Sequence, residues 1–378
     1  MTEQSNPHPV HAVPHAAGAP DPDRARAWLE VDLDAVRRNA ESLAERARVP
    51  LLPMVKADAY GIGAIPVARA LEPLDPWGFG VATVPEGEAL RAAGIDRRVL
   101  VFTPLLPAEL PRAHAAGLTP SLHRAEDVVR WTVLGGAAWH LPIDTGMGRA
   151  GVRWDEVAAL RAVVAAHPPE GAYTHFHSAD SDRESRVEQE RRFRAAIDAL
   201  PGAARPTVLH AENSAAIEHR APSPWSVARP GVFLYGVHSA GALTPVPVAH
   251  LRARVVDLRV VRAGESVSYG ATWTADGERT IATVACGYAD GYRRHLSGRG
   301  TALLHGGPVP VVGRVTMDMT MLDVTGVPCA VGDVATLLGR DGDAVLTAND
   351  VAAAGDLSPY ELLTGLRQRV PRLYLQGS

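Results

Sequence analysis

Residues 51–63 read Leu-Leu-Pro-Met-Val-Lys-Ala-Asp-Ala-Tyr-Gly-Ile-Gly, an apolar run that ends on a lysine and passes into small residues. A run this short cannot bury every face of a helix, so Leu51–Val55 predicts a short buried strand. Gly61 and Gly63 would let the backbone turn sharply and approach a ligand. Lys56 stands at the carboxyl end of the strand, where weak solvation would lower its pKa and leave a neutral amine as a base or Schiff-base former. A surface lysine in a strand-to-helix loop fits the same spacing.

The composition is that of a globular protein with a sizeable core. The 378 residues, 46% of them hydrophobic and 21% charged, fit one large domain plus a smaller one. The net charge of -4 and the lack of lysine or arginine runs give no sign of a nucleic-acid or membrane partner. Cys286 and Cys329 fit neither a disulfide framework nor a CxxC zinc site, and no metal is predicted. No stretch is apolar over the length of a bilayer-spanning helix.

The N-terminal residues 1–23 are rich in proline, alanine and histidine and show no apolar periodicity. They lack the charged start and apolar centre of a signal peptide, so we predict a disordered tail over 1–27 and a cytoplasmic protein. His8, His11 and His15 could bind a metal, but histidines of a solvated tail are the preferred interpretation.

From Trp28 onward, short β-rich runs alternate with stretches of helical periodicity, which predicts an α/β protein. Glu30–Leu33 reads as an edge strand, followed by a helix to about Arg48. Repeated strand–helix units favour a (β/α)8 barrel over residues 28–247. A doubly wound open sheet is the alternative, and the lack of a GxGxxG turn after the first strand counts against it. The predicted barrel strands are Leu51–Val55, Gly78–Ala82, Arg98–Phe102, Leu118–Leu122, Ala138–Ile143, Ala172–Phe176, Thr207–His210 and one within Ser226–Tyr235.

After about Pro247 the pattern changes to short strands separated by glycine, aspartate and proline. This predicts a C-terminal, mainly-β domain over 248–378. A last helix is expected over Pro359–Arg369. The predicted strands are Ala253–Val261, Thr280–Val284, Thr301–Leu304, Val309–Val312, Met321–Val324 and Val334–Leu338.

Chemistry-bearing residues follow the barrel strands, where the active sites of such barrels lie. Lys56 and Tyr60 follow the first strand, and Asp144–Arg149 follows the fifth. The loops after the seventh and eighth strands offer Ser214 and the open backbone of Gly231 for a phosphate group. His175 ends the sixth strand, His210–Ser214 follows the seventh and Ala228–Val232 falls within the eighth. A lysine, a phosphate site and a strand-end arginine together suggest pyridoxal 5'-phosphate.

Several stretches resemble motifs of the alanine racemase family, in its order and spacing over roughly residues 28–375. The resemblance implies a homodimeric, pyridoxal-phosphate-dependent isomerase that interconverts L- and D-alanine. It also implies that the active sites are shared between subunits. The stretches are Val55–Gly61, Asp144–Arg149, Val267–Gly270, Gly287–Tyr292 and Gly313–Asp318.

The resemblance also implies a role for each matching residue. Lys56 carries the cofactor as a Schiff base and acts as one base, while Tyr269 of the partner subunit acts as the other. Two bases suit the reaction, because the α-proton leaves one face and a proton returns to the other. Arg229 faces the pyridine nitrogen, to which arginine does not hand a proton. The other implied cofactor-binding residues are Tyr60, His175, Asn213, Ser214, Gly231, Val232 and Tyr360. His175 and His210 support the arginine and the tyrosine, and Arg149 and Met317 contact the substrate carboxylate.

The sequence departs from the family pattern at three places on the substrate side. Many members have a carbamylated lysine where this chain has Pro142, so another anion is expected to orient Arg149. The stretches Thr316–Met319 and Leu234–Ser239 are also unusual. A racemase acting on another or a broader set of amino acids is therefore an open alternative.

Two other classes of protein compete with a racemase. A pyridoxal-phosphate decarboxylase on a similar barrel usually has an acid near the cofactor nitrogen, which Arg229 argues against. A non-enzymatic cofactor-binding protein usually consists of the barrel alone, which the β domain with Tyr269 argues against.

Overall fold

The computed structural model describes residues 11–12, 25–239 and 241–376. Most of the predicted tail, including His8 and His15, lies outside the described residues. His11 lies in the two-residue strand β1, which pairs with the last strand of the chain. Among the described residues, no cluster of histidine, cysteine and acidic side chains could hold a metal ion.

The strands and helices of the described residues are as follows. The strands are β1 His11–Ala12, β2 Ala27–Asp32, β3 Phe79–Val81, β4 Val99–Val101, β5 Thr119–Pro120, β6 His140–Asp144, β7 Val152–Arg153, β8 Gly171–Tyr173, β9 Val208–His210, β10 Ala249–Val261, β11 Arg279–Val284, β12 Thr301–Leu304, β13 Gly307–Val312, β14 Thr320–Asp323, β15 Val334–Asp341, β16 Ala344–Leu346 and β17 Arg372–Gln376. The α-helices are α1 Leu33–Ala47, α2 Lys56–Gly61, α3 Ala64–Leu71, α4 Val84–Ala92, α5 Leu110–Ala115, α6 Ala125–Val133, α7 Arg161–Ala166, α8 Arg183–Asp198, α9 Ser214–His219, α10 Ala348–Ala354 and α11 Pro359–Thr364.

One compact unit, residues 37–234 with 238–245, is the predicted (β/α)8 barrel. Its parallel strands pair in the order β3-β4-β5 and β6-β8-β9, and the bridge Ser121–His140 joins the two groups. The run at 51–55 closes the ring through bridges from Met54 to Gly80 and from Leu51 to Ala228. A closed ring excludes the open-sheet alternative, and the predicted fold class is confirmed.

The first and eighth barrel segments pair only through isolated bridges. Pro53 and Pro230 each lack the N–H that a continuous ladder needs. The Pro230 carbonyl accepts from the Met54 N–H at 2.9 Å, and the Ala228 carbonyl accepts from the Leu52 N–H at 2.8 Å. The predicted eighth strand is therefore reduced to a bridge at Ala228, followed by a 3-10 helix over Val232–Tyr235.

The second unit, described over residues 11–12, 25–36, 235–237 and 246–376, is built on a mostly antiparallel sheet, in which β17 and β2 pair in parallel. The strand order within the described residues is β1-β17-β2-β10-β11-β14-β13-β12-β15-β16. Because β15 also pairs with β10, the strands from β10 to β15 close into a small barrel. The predicted mainly-β domain is confirmed.

Two predictions about single elements are wrong. β2 is an interior strand of this second sheet, between β17 and β10, and not an edge strand at Glu30–Leu33. Leu29 and Val31 are fully buried there. The last helix ends at Thr364 and not at Arg369, because Gly365 follows it and glycine is a poor helix former.

Candidate functional site

Lys56 opens a turn of left-handed helical conformation at the mouth of the barrel. Residues 57–60 have φ angles between 51° and 58°, although none of them is glycine. The Asp58 carbonyl accepts from the Gly63 N–H at 2.8 Å, and its carboxylate accepts from the Ala64 N–H at 2.7 Å. These bonds fix a conformation that costs L residues about 1–2 kcal/mol each.

Glu86 anchors the start of this turn. One carboxylate oxygen accepts from the Ala57 N–H at 2.7 Å, and the other accepts from the Ala82 N–H at 2.7 Å. The Thr83 hydroxyl accepts from the Glu86 N–H and completes a capping box at α4. Glu86 was absent from the sequence-based site, although the pattern Thr83-x-x-Glu86 before an apolar run signals such a box.

Burial, followed by the charges of Arg149 and Arg229, lowers the pKa of Lys56, and Glu86 opposes this effect. The same surroundings act on His175, which is partly buried. Burial, then Arg229, Arg149 and Lys56, lower the pKa of its imidazole to about 3. The mouth of the barrel thus collects cationic groups around a neutral imidazole, an environment that favours an anionic ligand.

The predicted phosphate-binding residues of the barrel unit come together. The Ser214 hydroxyl accepts from the Gly231 N–H at 2.9 Å and from the Phe233 N–H at 3.4 Å. A Cβ on Gly231 would lie 2.6 Å from the Tyr60 hydroxyl, so the backbone here approaches that hydroxyl closely. Val232 is buried beside them. Hydroxyl groups and an open backbone are suitable partners for a phosphate group.

Asn213 supports the phosphate-binding cradle, which Tyr60, Ser214, Gly231 and Val232 form. Its carboxamide oxygen accepts from the Ala216 N–H at 3.0 Å and caps α9. The cap fixes the start of the helix that carries Ser214.

Arg229 is buried in the barrel, and among the described residues no carboxylate forms an ion pair with its guanidinium. Its guanidinium donates to the carbonyls of Thr174 and Ala211, at 2.8 and 3.2 Å, and to Nδ1 of His210 at 3.0 Å. The ring of Tyr173 faces it at 5.4 Å. Burial lowers the pKa of Arg229 to about 10, so the group remains a cation at neutral pH.

Arg149 follows β6 in a tight loop and is exposed. The Asp144 carboxylate folds that loop by accepting from the N–H groups of Gly146 and Gly148, at 3.0 and 3.1 Å. Pro142 lies buried in β6. Within the described part of the chain, Arg149 forms no hydrogen bond or ion pair.

Three predicted site residues belong to the mainly-β unit, and each has an exposed side chain there. Tyr269 is 72% exposed, Met317 is 52% exposed and Tyr360 is 48% exposed. Tyr269 begins a short 3-10 helix, which Ser268 holds by donating its hydroxyl hydrogen to the Arg314 carbonyl at 2.7 Å.

Comparison with known proteins gives one consistent result. The family model of the alanine racemase N-terminal domain matches residues 31–239, and that of the C-terminal domain matches 248–374. The alanine racemase of Deinococcus radiodurans is 41% identical over 355 residues, which are 92% of this chain and 98% of that protein. The crystal structure of alanine racemase from E. faecalis has a TM-score of 0.86 at 31% identity and covers 92% of this chain and 98% of that one. The Bartonella henselae enzyme, solved with covalently bound pyridoxal phosphate, has a TM-score of 0.84 at 26% identity and covers 93% and 99%.

Proposed function

The chain belongs to the alanine racemase family, and from this premise we propose that it interconverts L- and D-alanine with Lys56 and Tyr269 as its two bases. The observation that carries this proposal is the lysine at the mouth of the barrel, whose pKa is lowered by burial and by Arg149. A lowered pKa increases the fraction of neutral amine, which is the form that takes up a proton or forms a Schiff base.

The residues of the barrel unit fit pyridoxal 5'-phosphate. Ser214, Gly231, Val232 and Tyr60 would hold the phosphate, with Asn213 and His175 beside it and Tyr360 as a further contact. Lys56 would hold the cofactor covalently, and Arg229 would face its ring nitrogen. The bound cofactor supplies an electron-withdrawing ring, which acidifies the α-proton of an amino acid.

The buried surroundings of Arg229 decide what it does to the ring nitrogen. With a pKa of about 10 it stays charged near neutral pH, so it donates a hydrogen bond without delivering a proton. This arrangement favours racemisation over competing reactions, because a pyridine ring without a proton on its nitrogen withdraws electron density less strongly. A decarboxylase that uses an acid at this place is disfavoured, since no carboxylate of the described residues contacts Arg229.

We further propose a homodimer in which each barrel receives Tyr269 from the other subunit. The exposed phenol supports this proposal, because an aromatic side chain that is 72% exposed is available to a partner. Arg149 and Met317 would contact the substrate carboxylate. Mixing inactive Lys56→Ala with inactive Tyr269→Phe subunits should restore part of the activity under conditions of proven subunit exchange, whereas a site within one subunit would stay inactive.

We place the functional division between residues 28–247, which would bind the cofactor, and residues 248–378, which would supply Tyr269. The two family-model matches, which end at 239 and begin at 248, support this division. We also propose that the enzyme acts in the cytoplasm. Cys286 and Cys329 are free thiols, which suits a reducing compartment. In the described part of the chain, no helix is long and apolar enough to cross a membrane.

The deciding experiment is polarimetric. Optically pure L-alanine should lose its rotation without loss of amine or release of CO2, and D-alanine should behave in the same way. Borohydride reduction followed by peptide mapping should find the cofactor on Lys56. Release of CO2 would instead indicate a decarboxylase, and faster racemisation of another amino acid would indicate the broader substrate alternative.

A further inference from the structure

A row of buried polar side chains leads from Arg229 through the barrel to its opposite end. Nδ1 of His210 accepts from Arg229 at 3.0 Å, and Nε2 of His210 lies 2.8 Å from Nδ1 of His140. Nε2 of His140 then faces a carboxylate oxygen of Glu170 at 3.7 Å. His140 stands at the amino end of β6 and Glu170 stands just before β8. The row therefore connects the site at the carboxyl ends of the strands with the amino ends.

The chemistry of arginine sets the direction of every link in this row. A guanidinium can only donate, so Nδ1 of His210 must be the bare, accepting nitrogen. The proton of the His210 imidazole is then on Nε2 and points at Nδ1 of His140, so this second nitrogen must also accept. The remaining proton of His140 is on Nε2 and points at Glu170. The reverse order would place an imidazole N–H against a guanidinium N–H.

Burial of the two rings disfavours their charged forms. Both imidazoles are fully buried, and burial lowers the pKa of each, well below the ordinary range for His210. Because Nδ1 of each ring accepts a hydrogen bond, each ring has its single proton on Nε2 and is neutral. Within the described residues, neither Nε2 of His140 nor the facing oxygen of Glu170 has a hydrogen-bond partner. At 3.7 Å this last link is an ion–dipole contact.

The packing leaves the rings little freedom to turn. Tyr173 stacks on His210 with ring centres 5.0 Å apart, and its hydroxyl lies 3.0 Å from that of Ser121. A Cβ on Gly171 would lie 2.3 Å from the ring of His140, so that residue must be glycine for the ring to lie there.

We propose that His140 and Glu170 are positioning residues which, through His210, hold the Arg229 guanidinium in place. The charge of the carboxylate attracts the Nε2–H of His140, so that each imidazole keeps its accepting nitrogen on the side of the arginine. This inference rests on the proposed function only for its effect on activity. The orientation of the protons is a property of the chain itself.

Nitrogen-15 NMR of the histidine-labelled protein tests the proposal directly, with His140→Asn and His210→Asn variants to assign the two rings. In the unmodified protein, both rings should carry their single proton on Nε2. Glu170→Leu removes the acceptor, so His210 should then populate the Nδ1–H form. Because the row then holds the Arg229 guanidinium less firmly, kcat/KM should fall as well.

Two companion variants separate positioning from simple stabilisation. Glu170→Gln keeps an oxygen acceptor, so the Nε2–H forms should persist and activity should exceed that of Glu170→Leu. Arg98→Met breaks the 3.2 Å ion pair of Glu170 on its other side and should leave the His210 spectrum and kcat/KM unchanged.

Specific results would overturn the proposal. A proton on Nδ1 of His210 in the unmodified protein would do so, as would a Glu170→Leu protein with unaltered ring spectra. An Arg98→Met protein with the same spectral change as Glu170→Leu would assign the effect to the ion pair. If the protein did not racemise alanine, the ring spectra would still decide this inference, and only the proposed function would fail.

Discussion

Replacement of Gly231 by alanine should weaken cofactor binding through one steric contact. The added Cβ would lie 2.6 Å from the Tyr60 hydroxyl and 3.3 Å from the ring carbon that bears it, whereas ordinary contact begins near 3.4 Å. The backbone of Gly231 has an ordinary negative φ, so the effect is a contact and not a strained dihedral. Tyr60 is only 8% exposed and cannot swing freely into solvent.

The contact must be relieved by a shift of the Tyr60 ring or of the Gly231 backbone, and both belong to the cradle. Overpacking of this kind costs about 1–3 kcal/mol, which is roughly a 5- to 150-fold loss of affinity. Absorbance titration of the cofactor-free protein with pyridoxal phosphate measures this loss, with thermal unfolding to show that the variant is folded.

The matched control is Gly202→Ala, where a Cβ in the same unit would meet nothing within 4 Å. It should bind the cofactor as the unmodified protein does. Combining Gly231→Ala with Tyr60→Phe removes the clashing oxygen, so the double variant should lose less affinity than the two single losses together. Unchanged affinity in Gly231→Ala, or strictly additive losses in the double variant, would refute the reasoning.

Three further predictions follow from buried charges and from the loop of Arg149. Burial lowers the pKa of Lys56. The cofactor-free native state therefore binds fewer protons than the unfolded chain, and its free energy of unfolding increases as the pH rises toward the ordinary pKa of lysine. Lys56→Met should therefore stabilise the cofactor-free protein at neutral pH in denaturant unfolding, by an amount that shrinks at alkaline pH. A stabilisation that does not change with pH would contradict the lowered pKa of Lys56. Burial raises the pKa of Glu212 from 4.5 to about 7, so the protein should lose up to roughly 3 kcal/mol of stability as the pH rises through that window. Glu212→Gln should unfold without this pH dependence, and the same slope in both proteins would show that another group titrates. Because Pro142 cannot be carbamylated, racemase activity should not respond to bicarbonate, whereas chloride added to halide-free buffer should stimulate it if an anion orients Arg149.

The barrel and its site could be predicted because local signals and topology agree there. The apolar runs at 79–81 and 99–101 are buried strands. The carboxyl ends of parallel strands meet at one end of a barrel. This topology is why Lys56 and Ser214, far apart in sequence, were assigned to one site.

The placement of β2 could not be predicted, because its partners lie far away in the chain. Val31 pairs with Ala249 and Tyr374, and nothing in residues 27–32 specifies those neighbours. The row from Arg229 to Glu170 was missed for a related reason. His140 and Glu170 are 30 positions apart, and their meeting depends on the register in which His140 pairs with Gly171.

The left-handed turn after Lys56 has a consequence for the chirality of the chain itself. Ala57 and Ala59 adopt φ and ψ angles near 50°, which are strained for L-alanine but are the relaxed helical angles of its mirror image. A semisynthetic protein with D-alanine at position 57 should therefore be more stable than the natural one, by about 1–2 kcal/mol. D-Alanine at position 89, inside the right-handed helix α4, should have the opposite effect. Residues 57–60 thus form a short segment whose backbone angles suit D-amino acids better than the L-amino acids that the chain has there.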